Sequence, residues 1–172
     1  MAFPSSTALG LVGIVGLVAA SAFFSSSETA IFTLPAGWFD EAGGEEDRRA
    51  TALRSLRADP HRLLVTILVG NNVVNVAISS VTTVLVLDYL GPGSAVTVAT
   101  VAASFVVLVF GEIVPKSYGL GHARPWALTV ARPLAAVELA LYPLVAFFTV
   151  VTRQVSRAVG GDAAIEEPYL AD

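Results

Sequence analysis

Three short segments place polar side chains inside otherwise apolar runs, each with a spacing that gathers its polar atoms. In SAFFSSSETA (21–30), Ser21, Ser25 and Glu28 follow i, i+4, i+7 and share one helical face. In GNNVVN (70–75), Asn71 and Asn75 are four apart and project together, while Asn72 points about 100° away. In GEIVPK (111–116), Pro115 has no N–H and cannot bond the carbonyl four residues back, which is that of Gly111. Gly111 has no side chain to shield that carbonyl, and the carboxylate of Glu112 follows it directly. Together these residues offer hydroxyls, carboxamide oxygens, one freed carbonyl and one carboxylate. An all-oxygen set suits a hard cation, Mg²⁺, Ca²⁺ or Na⁺. Zinc or copper would call for thiols or imidazoles. The chain has no cysteine, and His61 and His122 stand at the margins of the apolar runs.

Each segment also has a purely structural reading. Membrane serines bond back to the i−4 carbonyl and let helices approach closely. A membrane asparagine commonly joins two helices, and Asn72 suits packing. Pro115 alone gives a kink, and Glu112 and Lys116 have the spacing of an i, i+4 ion pair. Glu28, nearer the end of its apolar run, is placed to be solvated or to cap a neighbouring helix. Ionisable groups inside apolar spans are nonetheless functional candidates by default.

The elements that position these groups follow from where charge is absent. The 172 residues are 55% hydrophobic and 14% charged, against about 25% charged in ordinary soluble domains. That composition excludes disorder, a nucleic-acid binder and a disulfide-stapled secreted domain. No charged side chain occurs from Met1 to Ser27, from Leu63 to Leu87 or from Tyr89 to Gly111. Each run exceeds the ~20 residues that cross a bilayer, and they predict membrane-spanning helices over 7–33, 63–88 and 94–117. The expectation is an all-α, multi-pass protein of the cell membrane.

A fourth apolar stretch, 133–152, contains Glu138, Pro133 and Pro143. The ten basic residues decide how it is read. They fall at 48–62, 116–132 and 153–157, and basic clusters beside short loops mark the cytoplasmic side. Three crossings, with the N-terminus outside and the C-terminus cytoplasmic, keep every cluster inside. The proline-broken fourth segment would then lie along the inner interface or dip in and return. A full fourth span is the alternative. Ala20-Ser21-Ala22 resembles a signal-cleavage site, but no basic residue precedes it, so cleavage is not expected. Residues 35–47 read as an acidic loop. A short helix is predicted over 46–58, with Leu53 and Leu56 down and its arginines towards headgroups. Asp59-Pro60 reads as N-cap and N1 of the second span.

The strings SAFFSSSETA, LLVTILVGNNVVN and FGEIVPKSYG, in that order, resemble the transmembrane domain of the CorC/CNNM family, also called the DUF21 domain. The resemblance covers about residues 7–158. It implies Mg²⁺ transport, with export coupled to Na⁺ inflow, by a homodimer of three-span subunits with a juxtamembrane helical segment. It also implies an ion site in which Ser21 and Ser25 supply hydroxyls, Asn71 and Asn75 carboxamides, Gly111 its carbonyl and Glu112 its carboxylate. Family members continue into cytosolic CBS domains that bind nucleotide. Residues 1–158 are therefore assigned to the membrane domain and 159–172 to an acidic linker, with no nucleotide site expected. A membrane Mg²⁺ sensor or scaffold that transports nothing is the alternative. No nucleophile–base pair or phosphate-cradling loop suggests an enzyme.

Overall fold

The computed structural model describes residues 5–35, 38 and 48–159. These form helices and short turns, with no strand among the described residues. In chain order they are α1 (Ser5–Phe32), α2 (Arg48–Arg57), α3 (Pro60–Leu87), α4 (Pro92–Val106), a π-helical stretch (Val107–Ile113), α5 (Val114–Gly121) and α6 (Ala123–Val159). At about 1.5 Å per residue, the 28 residues each of α1 and α3 exceed the ~30 Å of bilayer hydrocarbon. Large apolar side chains face outward along these and along α4: Leu9 is 74% exposed, Val76 66% and Val101 66%. Such a surface is covered by lipid rather than water, and the protein is an all-α, multi-pass membrane protein.

The turns follow local chemistry. Asp59 caps α3, its Oδ1 accepting from the Arg62 N–H at 3.0 Å, and Pro60 opens the helix as expected. Gly91-Pro92 opens α4 after a turn short enough to make α3 and α4 neighbours. In α2, Leu53 and Leu56 are buried as the sequence suggested. Arg57 folds back against the chain that precedes the helix. It reaches back to donate to the Pro35 carbonyl at 3.4 Å, and burial lowers the pKa of its guanidinium. Most of the acidic segment 35–47, and all of 160–172, lie outside the described residues.

α1 packs against α3, the π stretch, α5 and α6. The apolar core gathers at one end of the bundle, where Ile31 and Leu34 meet Leu53 and Leu56 of α2, Leu63 and Ile67 of α3, and Leu134 of α6.

Two expectations change. The stretch holding Pro133 and Pro143 is not broken: α6 runs unbroken through both for 37 residues. Both prolines lie on exposed positions. Ala127, Val130, Ala131 and Leu134 are packed alongside. That packing holds the helix against the ~3 kcal/mol an interior proline costs. The count of three spans also lacks support from length and apolarity, because four helical segments satisfy both: Thr7–Phe32, Pro60–Leu87, Pro92–Gly121 and Ala123–Phe148.

Candidate cation site

α1, α3 and the π stretch bring the three motifs together about one hydroxyl. Ser21 is fully buried, and its Oγ lies 2.8 Å from Asn75 Oδ1 and 3.0 Å from Asn71 Oδ1. A serine hydroxyl has one proton to donate, so one of these two oxygens always lacks it. Asn75 also turns its Nδ2 to Glu112 Oε1 at 3.3 Å, which ties α3 to the π stretch. Asn71, Asn75 and Glu112 are half-buried. Three oxygens therefore converge on one point, with a carboxylate next to the carboxamide.

Glycines set how closely the helices approach. A Cβ at Gly111 would stand 2.7 Å from Ser21 Oγ, so only glycine lets the π stretch come this near α1. One at Gly70 would stand 2.5 Å from the Phe24 ring, which holds the start of GNNVVN against α1. At Gly119 it would strike the Ser26 carbonyl. The sequence reading gave Gly70 and Gly119 no part. Their signal there was their place inside apolar helices, where glycine marks close backbone approach.

The backbone around Gly111 also differs from the expected open break. The chain winds wide from Val107 to Ile113, where the Val114 N–H bonds the Val109 carbonyl five residues back. Pro115 then sits in the first turn of α5. The missing N–H of Pro115 is thus accommodated by an inserted π turn, a device common at functional sites. Gly111 and Glu112 both lie on that turn.

The serine run divides. Ser26 Oγ donates to Ala22 O at 2.7 Å and Ser27 Oγ to Phe23 O at 2.6 Å, both within α1. Ser25, one turn from Ser21 on the same face, is 1% exposed, and its Oγ has no hydrogen-bond partner. A buried hydroxyl left unpaired costs about 1–3 kcal/mol, and it is the atom a bound cation would satisfy. Asn72 is exposed and donates to Leu68 O at 2.8 Å, which corrects the packing role expected of it. Lys116 pairs with Glu28 at 3.3 Å, across to α1. The alternative pairing of Lys116 with Glu112 is therefore not the one formed, and Glu112 faces Asn75 instead.

A bundle of long apolar helices enclosing a polar seam defines the class, a polytopic α-helical membrane protein with hydroxyl, carboxamide and carboxylate groups gathered between its helices. The chain belongs to the CNNM family: residues 12–172 match the cyclin M transmembrane N-terminal domain. It is 34% identical over 156 residues to a chloroplastic DUF21 domain-containing protein of Arabidopsis thaliana, covering 91% of this chain and 23% of that one. It is 33% identical over 140 residues to the UPF0053 inner membrane protein YfjD of Escherichia coli, covering 81% and 32%. A UPF0053 protein of Haemophilus influenzae is 33% identical over 157 residues, covering 91% and 37%. The chain thus spans a quarter to somewhat over a third of these relatives.

Proposed function

We propose that this domain carries Mg²⁺ across the membrane through the site formed by Ser21, Ser25, Asn71, Asn75, Gly111 and Glu112, exporting it against Na⁺ inflow. The observation that carries this reading is the convergence of Ser21 Oγ, Asn71 Oδ1 and Asn75 Oδ1 beside Glu112. These are hard, mostly neutral oxygens. One carboxylate leaves a divalent ion partly uncompensated, which suits a site that must release its cargo. Mg²⁺ sheds its water reluctantly, so a dehydrating site favours a carrier that changes conformation over an open pore. Homodimer formation, and CBS domains in longer relatives, belong to the same proposal.

The test is Mg²⁺ flux in proteoliposomes. Glu112→Gln and Asn75→Ala should each lower it more than about tenfold, as losing groups at or around a metal typically does. Unchanged rates in both would sink the site assignment. Wild-type protein that binds Mg²⁺ and moves none would favour the sensor. Efflux indifferent to external Na⁺ would exclude the exchange.

We also propose that α6 lies on the inner membrane face, leaving three crossings with the N-terminus outside. Its packed residues Ala127, Val130, Ala131 and Leu134 meet the C-terminal end of α1, the start of α3 and α2, rather than the length of a spanning helix. Glu138 pairs with Arg62, in the first turns of α3, which brings that part of α6 level with a helix end. Beyond it Leu139 is 75% exposed and Phe147 61%, with Val145 buried between them. The chain lacks cysteine, so a single Val155→Cys, read with a membrane-impermeant maleimide, separates the cases. Labelling from the cytoplasmic side alone supports three crossings, and labelling from outside supports four.

A further inference from the structure

Glu28 and Lys116 are not among the six cation-site residues, yet both stand beside them. Glu28 lies seven residues past Ser21 and three past Ser25, on the face of α1 that carries both hydroxyls. Lys116 lies one turn past Glu112 on the rod formed by the π stretch and α5. This rod runs alongside α1, because a Cβ at Gly111 would meet Ser21 and one at Gly119 would meet Ser26. Lys116 falls between those two glycines, and its Nζ reaches Glu28 Oε2 at 3.3 Å. It is the chain's one lysine, a compact ammonium on a flexible four-carbon stem.

That stem has two carboxylates to choose from. Glu112, four residues back, is the partner that helical spacing favours. In the structure the ammonium is on Glu28 instead, and Glu112 Oε1 meets the neutral Asn75 Nδ2 at 3.3 Å. The choice matters because Glu112 is the single carboxylate beside Ser21, Ser25, Asn71, Asn75 and Gly111. An ammonium on it would cancel the site's one negative charge and stand where a cation would bind. The Lys116 side chain is 46% exposed and that of Glu28 28%. Ion pairs so open to their surroundings add little stability, so what this pair decides is where the charge goes.

We propose that Glu28 is a positioning residue for the cation site: it holds the Lys116 ammonium on α1 and leaves the Glu112 carboxylate open to a divalent cation. The proposal rests on the cation site set out above. Because Glu28 acts through Lys116, the two residues differ in what their loss does. Removing Glu28 releases the ammonium onto Glu112. Removing Lys116 removes the competitor, and Glu28 is then no longer needed.

The test has two readouts on the full chain in detergent. The pairing is read without metal by a carbodiimide, which joins an amine to a neighbouring carboxylate as an amide, with the linked peptides identified by mass spectrometry. Wild type should give the Lys116–Glu28 link, and Glu28→Gln the Lys116–Glu112 link. Binding is read as the Mg²⁺ concentration that gives half the maximal rise in Tm. Glu28→Gln should need about tenfold more, the typical effect of disturbing the surroundings of a metal ligand. Lys116→Met should bind as wild type does, and Glu28→Gln combined with Lys116→Met should recover wild-type affinity. An ion pair that only braces the helices predicts otherwise: Lys116→Met as damaging as Glu28→Gln, and no recovery in the double variant. Either result overturns the proposal, as does a Glu28→Gln protein that forms no Lys116–Glu112 link or binds Mg²⁺ as wild type does. Helical circular dichroism checks the fold, and Glu28→Ala takes the place of Glu28→Gln should the amide misfold. Wild-type protein with no Mg²⁺ response refutes the cation site itself, whereas the links still report whether Glu28 keeps Lys116 from Glu112.

Discussion

Within about four turns, α1 passes through two opposite environments. At Ser21 and Ser25 its buried face is polar and its partners are oxygens on α3 beside the π stretch. At Ile31, and at Leu34 just past its end, the buried face is apolar and its partners are leucines and isoleucines of α2, α3 and α6. The leucines and isoleucines of the apolar end gain from contact alone, because they carry no polar side-chain atom to leave unpaired. The polar end is packed as closely, yet it leaves Ser25 Oγ unpaired and asks one Ser21 proton to serve two carboxamides. A region built only for stability would resemble the first. The deficit in the second is what a ligand would fill.

The largest stability effect should come from the apolar end. Leu134 is fully buried in the cluster, and Leu134→Ala should cost about 2–5 kcal/mol through the cavity it leaves. Thermal unfolding in detergent should show a lowered Tm, while the rise in Tm that Mg²⁺ binding at the proposed site would bring stays as in wild type. Loss of that rise would mean the two regions are coupled, and the comparison would fail.

Gly111→Ala should do less to stability and more to the ion. The new Cβ would lie 2.7 Å from Ser21 Oγ, and moving that hydroxyl breaks its contacts with both asparagines. Overpacking of this kind costs about 1–3 kcal/mol. The Mg²⁺-induced rise in Tm should disappear together with flux. A Gly111→Ala protein that keeps both would show that the close approach at Ser21 does not shape the site.

The two ends also differ in how far they could be read from sequence. Charge-free runs announced α1, α3 and the α4–α5 rod, because hydrocarbon tolerates few charges anywhere along a span. Spacing of four residues put Ser21 with Ser25 and Asn71 with Asn75 on common faces. Which faces meet depends on helix approach, and that is set by Gly70, Gly111 and Gly119 through contacts far apart in the chain. Pro115 announced a missing hydrogen bond but not the π turn that absorbs it. Pro133 and Pro143 suggested a broken segment, whereas the helix runs through both and packs against α1, α2 and α3. Lys116 had a carboxylate within reach on its own helix and found Glu28 on another.

The finest distinction lies between neighbouring serines. Ser25 and Ser27 are both buried to 1% or less and differ only in whether the hydroxyl has a partner. Ser27→Ala removes a made hydrogen bond and should lower stability by about 1 kcal/mol, leaving the Mg²⁺ response intact. Ser25→Ala removes an unanswered hydroxyl, so without Mg²⁺ its Tm should match or slightly exceed that of wild type. With Mg²⁺ present its Tm should rise less than wild type, because ligand-linked stabilisation grows with affinity and one oxygen is gone. The opposite signs make the pair informative. A Ser25→Ala protein as destabilised as Ser27→Ala, or with an undiminished Mg²⁺ response, would place Ser25 among the packing serines and reduce the site to Ser21, the two asparagines and the π turn.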